Sequence, residues 1–155
     1  MRVVLDLVLD CDVDRAWDLL HAPAAMRFAM APVLEPVPAS GTWPDRWPQA
    51  TPVALDTRML GLPSGRMTVE LHDELRGDVR IVHDRGGPQS GPLAALTTWR
   101  HRMAVSPLPD GRSRFRDRLD VGGAAAPAMW PTLWALWQWR GHRLQVLARR
   151  QPPAP

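Results

Sequence analysis

Two residues able to do acid–base chemistry, His101 and Asp117, fall on the apolar side of one hairpin in WRHRMAVSPLPDGRSRFRDRLDV, residues 99–121. Two-residue alternation turns Arg100, Arg102, Arg112, Arg114, Arg116 and Arg118 outward. It turns Trp99, His101, Met103, Phe115, Asp117 and Leu119 inward. Pairing Ser106 with Arg112 across a five-residue loop sets His101 opposite Asp117, Met103 opposite Phe115 and Trp99 opposite Leu119. An acid and an imidazole in an apolar interior allow two readings. They form a hydrogen-bonded pair that fixes strand register, because neither is tolerated there alone. Alternatively, Asp117 orients the imidazole so that its other nitrogen meets a bound ligand, as anchor or general base. Catalysis also requires an electrophilic partner, which the sequence does not identify; Arg140 or His142 near the middle of a following helix could approach, and both suit a solvent-facing position equally.

The elements that must hold this pair follow from pattern changes along the chain. Residues 2–10, RVVLDLVLD, alternate as a strand with one better-buried face. Asp12 then caps a short helix, DRAWDLL, and Pro23 opens a second. The proline-rich segment 31–50 admits only a short edge strand and a rim, with Trp43 and Trp47 as a candidate lid. Strand patterning resumes in TPVALDTRML, in RMTVELHDEL after the turn GLPSG, and in DVRIVHDR. From Pro127 to Arg149 the period changes to three and four, giving one long helix whose stripe is Trp130, Leu133, Trp134, Trp137, Gly141, Leu144 and Ala148. Gly141 on that stripe would permit close approach of the sheet. His21, His72 and His83 read as surface or rim residues.

A chain of 155 residues suits one domain, expected over 1–150, with residues 151–155 as a disordered tail. The single cysteine, Cys11, and the unpatterned five histidines argue against a disulfide, a structural metal or a metal cofactor. No apolar run reaches membrane-spanning length and no secretory leader is evident, so a cytoplasmic protein without stable membrane insertion is expected. All 19 basic residues are arginine and net charge is only +3, a bias that fits coding composition better than a nucleic-acid surface. Eight tryptophans against two phenylalanines and no tyrosine must dominate either the core or a pocket.

The order of strand, two short helices, antiparallel meander and long C-terminal helix resembles the START-like or SRPBCC superfamily, including polyketide cyclase/dehydrase and Bet v 1 relatives. CDVDRAWDLLHAP is similar to that family's opening helix. WRHRMAV and GRSRFRDRLDV resemble the paired strands that many bacterial members write as W-x-H and T/R-x-x-D. LGLPSGRMTVE looks like a hairpin of an uncharacterised subgroup. The resemblance implies an α+β helix-grip fold: a curved antiparallel sheet of six to seven strands around the C-terminal helix, with a cavity between them. It implies a small hydrophobic or aromatic ligand, lined by Trp99, His101, Met103, Phe115, Asp117, Leu119, Trp130, Trp134, Trp137 and Trp43. The alternatives are a cyclase- or dehydratase-like enzyme using His101 and Asp117, and a protein-interaction module. A monomer or homodimer, without an organic cofactor, is expected.

Overall fold

A computed structural model describes residues 1–150, so the expected tail at 151–155 lies outside the described residues. The chain opens with β1 (Arg2–Leu9), α1 (Val13–His21) and α2 (Pro23–Met30). Asp12 caps α1 by accepting from the Arg15 N–H at 2.7 Å, a contact worth about 1 kcal/mol to such a helix. Pro23 stands at the start of α2, where its missing N–H leaves no bond unmade.

The strands that follow are β2 (Leu34–Pro38), β3 (Val53–Met59), β4 (Leu62–Val69), β5 (Leu71–Arg76), β6 (Val79–Asp84) and β7 (Gly87–Pro88). After a single helical turn at Pro92–Ala95 come β8 (Thr98–Pro107), β9 (Ser113–Gly122) and the long α3 (Ala126–Ala148). The architecture is α+β, with two antiparallel sheets in the orders β1-β9-β8-β6-β5 and β2-β3-β4-β7. The strand tally exceeds the expected six to seven for two reasons. The segment read as one strand, RMTVELHDEL, divides at Glu70, and Gly87–Pro88 adds a short rung on β4. The GLPSG segment also differs: the chain reverses at Leu60–Gly61, both at positive φ, and Leu62–Gly65 already belong to β4.

The β8–β9 register differs from the sequence reading by two residues. Pro107 faces Ser113, so Val105 lies opposite Phe115, Met103 opposite Asp117, His101 opposite Leu119 and Trp99 opposite Val121. The loop keeps five residues, but it begins one residue later. A two-residue shift preserves the face of every side chain, so the inward set is unchanged. On β1, Leu5 pairs with Asp117 and Leu7 with Phe115.

Helix α3 lies on the inner face, burying Leu133, Leu136, Trp137, Arg140, Gly141, Leu144 and Ala148. A β-carbon at Gly141 would sit 2.9 Å from a Leu7 methyl and 3.0 Å from a Leu5 methyl, so the missing side chain lets helix and β1 approach closely here. The expected stripe is rotated. Leu136 and Arg140 join it, whereas Trp134 is 46% exposed. The stripe was drawn toward the large indoles, but the face that meets the sheet is set by 133, 136, 137, 140 and 144. No described helix is long and apolar enough to cross a membrane.

Candidate functional site

β8 and β9 carry His101 and Asp117 diagonally across the ladder, with the imidazole Nε2 2.9 Å from an Asp117 carboxylate oxygen. The carboxylate has no exposure and is shared: the Trp137 indole N–H donates to the same oxygen at 3.2 Å, and the Arg140 guanidinium meets the other oxygen directly. Arg140 therefore fills the position of the cationic partner that the hairpin alone could not supply. Its second terminal nitrogen lies 3.0 Å from the Met103 sulfur. His142, the other candidate, is exposed.

A fourth charged residue completes the cluster. Asp84 ends β6 directly opposite His101, and its Oδ2 lies 3.5 Å from the imidazole Nδ1. Asp84 Oδ1 accepts from the backbone N–H groups of Glu70 at 3.1 Å and Gly86 at 3.0 Å. This carboxylate thus secures the bend where the chain leaves β4 for β5. Sequence reading missed Asp84, although the signal was present. In VRIVHD, period two places Asp84 on the same face as Val82, which is fully buried.

Electrostatics distinguish the members. Burial pushes the His101 imidazole below its ordinary value, and the positive charge of Arg140 acts in the same direction while Asp84 opposes. Burial also pulls the Arg140 guanidinium down to about 10, which leaves it charged at neutral pH. In the neutral ring the shorter contact, Nε2 to Asp117 at 2.9 Å against Nδ1 to Asp84 at 3.5 Å, assigns the hydrogen to Nε2 and the lone pair to Nδ1. Cys11 contributes no nucleophile, because burial raises its thiol.

The cluster stands at the wall of a partly open cavity of about 60 Å³ between the sheet and the three helices. Asp84, His101 and Arg140 form the polar side, and the remaining lining is apolar, including Trp47, Trp99, Trp137 and four methionines. The volume is under half the roughly 150 Å³ of an apolar cavity that takes up benzene. Met26, Met30, Met67 and Met103 are the flexible side chains able to enlarge it. A groove of about 220 Å³ between α3 and β2–β3 reaches toward it. A void of about 20 Å³ shares Leu34, Ser64 and Leu93 with that groove, and Met67 and Trp99 with the inner cavity. Trp99 therefore stands between the outer groove and the polar cluster.

Four residues expected along the cavity line it: Trp99, His101, Met103 and Trp137. Asp117 lies behind His101, out of reach of the space itself. Phe115 and Leu119 share the inward face but are completely covered by neighbouring core. Trp130 is drawn to the edge, where its N–H donates to the Arg2 carbonyl at 2.9 Å, and Trp134 faces outward. In the expected lid it is Trp47 that forms cavity wall, with Trp43 packed edge-on against it at 6.0 Å. His21 corrects the surface reading outright. It has no exposure, and its ring nitrogens lie 2.9 Å from the Trp17 carbonyl oxygen and 3.0 Å from an Asp73 oxygen.

The outer face of the hairpin carries the arginines as expected, several of them matched by acids: Arg114 with Asp6, Arg112 with Asp110, and Arg2 and Arg118 with Asp120. The Arg114 guanidinium holds the Asp6 carboxyl below its usual range.

No protein-family model and no curated protein matches the chain. Solved structures do. A hypothetical protein of Helicobacter pylori superposes with a TM-score of 0.69 at 15% identity, covering 96% of this chain and 88% of that one. A point mutant of norcoclaurine synthase from Thalictrum, solved with a transition-state analogue, gives 0.59 at 12% identity over 96% and 93%. DynU16, from the dynemicin biosynthetic locus, gives 0.58 at 12% identity; the match covers 94% of this chain and 46% of DynU16. At these identities the likeness establishes a Bet v 1-like fold.

Proposed function

We propose that the protein binds a compact apolar or aromatic molecule in the cavity between sheet and α3, with its polar end against Asp84, His101 and Arg140. The observation that carries this reading is an apolar space with its polar groups gathered on one wall, separated from a surface groove by residues around one small void. Norcoclaurine synthase, whose fold is similar, was solved in complex with a transition-state analogue, which lends the reading support by analogy.

Trp47, Trp99 and Trp137 line the space, so binding should alter tryptophan emission on titration with small apolar and aromatic probes. Native mass spectrometry of the purified protein should show a co-purified small molecule or accept one of the probes. Replacing Ala29, which lines the cavity, by leucine should abolish the response. A set of probes that leaves emission and mass unchanged would overturn the proposal.

A second reading, a cyclase- or dehydratase-like enzyme, draws on one specific arrangement. His101 is anchored through Nε2 with Nδ1 left unprotonated, and the Arg140 cation stands on the same wall. The imidazole would remove a proton from carbon beside a carbonyl, and the guanidinium would stabilise the resulting oxyanion. Turnover of a bound carbonyl compound that is lost in His101→Gln, with binding retained, distinguishes this reading from simple binding.

A further inference from the structure

The cluster lacks one positive charge. With His101 neutral, Asp84 and Asp117 contribute two carboxylates against the one guanidinium of Arg140, which touches Asp117 and also acts on Asp84 through its charge. Asp84 is 7% exposed, and its Oδ1 is occupied by two backbone N–H groups. Its Oδ2 has only the imidazole Nδ1, 3.5 Å away. With the Nε2 hydrogen donated to Asp117, Nδ1 is itself an acceptor, so two acceptors face each other at the cavity wall with no hydrogen between them. A buried, partly unmatched carboxylate is costly. Only a group that donates hydrogen bonds fits there, and only one that brings a positive charge also balances the cluster.

We infer that the ligand is a compact apolar amine, its ammonium seated between Asp84 Oδ2 and His101 Nδ1 and its hydrocarbon part among the tryptophans and methionines. This rests on the binding reading above and names the chemistry of the head group. The aromatic surroundings favour the same charge. Trp99 and Trp137 line the same cavity as Asp84 and His101, and an ammonium is attracted to indole faces. A metal ion fits poorly, since no group of three or more His, Cys, Asp or Glu among the described residues could hold one. A carboxylate ligand would add to the existing excess of negative charge.

Protons compete for the same place. A proton on Nδ1 would close the gap that the ammonium fills, so acidification should weaken amine binding. The groups facing this imidazole are Asp84 from β6, Asp117 from β9 and Arg140 from α3, together with the uncharged Trp137.

The test is a tryptophan-emission titration of the full chain with two matched series: isoamylamine, isoamyl alcohol and isovalerate, then benzylamine, benzyl alcohol and benzoate. The amine of at least one series should bind about tenfold or more tighter than its alcohol, with the carboxylate weakest. Amine affinity should fall as pH is lowered below about 6.5 toward the depressed His101 value, and more steeply than alcohol affinity. Asp84→Asn, which keeps an oxygen for the Glu70 and Gly86 N–H groups, should abolish the amine's advantage over the alcohol. Alcohols that bind as well as amines, or an amine preference that survives in Asp84→Asn, would overturn the amine and leave the cavity reading standing. Silence from all six probes would overturn both. Should Asp84→Asn fail to fold, the series and the pH profile of the native protein decide the matter.

Discussion

Two buried histidines each face an aspartate in this molecule, and they do different work. His21 at the end of α1 reaches Asp73 on β5, an aspartate whose side chain is 35% exposed. Its other nitrogen is taken by the Trp17 carbonyl, so the ring is used up in tying a helix to an edge strand. His101 meets Asp117, which has no exposure at all, and that aspartate is shared with Arg140 and Trp137. Its remaining nitrogen faces Asp84 at the wall of a cavity. The same two residue types thus give a structural tie where water reaches the acid, and a charged, incompletely matched cluster where it does not. Solvent access to the carboxylate and the number of claimants on it make the difference, rather than the pair itself.

Removing each acid should expose this contrast most strongly. Asp117→Ala leaves Arg140 and His101 buried without their common partner, and should cost about 3 to 5 kcal/mol. Asp73→Ala, where water can replace the lost oxygen, should cost about 1 kcal/mol. Urea denaturation of both variants measures the gap, and equal losses would mean that the two pairs are equivalent. The next experiment asks who the real partner of Asp117 is. Asp117→Leu with Arg140→Met removes both charges of the ion pair and should recover most of the loss. Asp117→Leu with His101→Leu leaves Arg140 stranded and should recover little. Recovery in the second double variant would identify the histidine as the principal partner.

A smaller effect concerns pH. The folded His101 value lies below the ordinary one, so the unfolded chain binds the proton more readily. Stability contributed by the neutral ring is complete above about pH 6.5 and is lost as pH falls toward the depressed folded value. His101→Gln should flatten that decline between about pH 7 and 5, measured as the difference in denaturation free energy from the native protein. The least effect is expected at Trp134, which the sequence stripe placed inward. Exposed as it is, Trp134→Ala should change stability by no more than about 0.5 kcal/mol and leave probe binding intact. A loss several times larger would restore it to the core.

The α+β order of elements, the Asp12 cap of α1, the proline that opens α2, and the inward face of the hairpin were legible in the chain, because each follows from a local period or a local start signal. Alternation alone put Trp99, His101, Met103 and Asp117 on one side, and a two-residue register error could not move them off it. Asp84 and Arg140 were legible in principle, as charges at inward phases of a strand and a helix, but nothing local tied either to His101. That link depends on β6 pairing with β8 and on the rotation of α3, which are set by long-range packing: Gly141 admits β1 closely, and Leu133, Leu136 and Leu144 seat the helix beside it. Which tryptophans line the cavity was decided the same way, since an indole is apolar enough for either side of a helix and only the final phase of α3 assigns it. Sequence by itself therefore determined the fold's order and the face of the pair. Tertiary structure decided the partners, the charge balance and the size of the space, because these depend on distances between segments far apart in the chain.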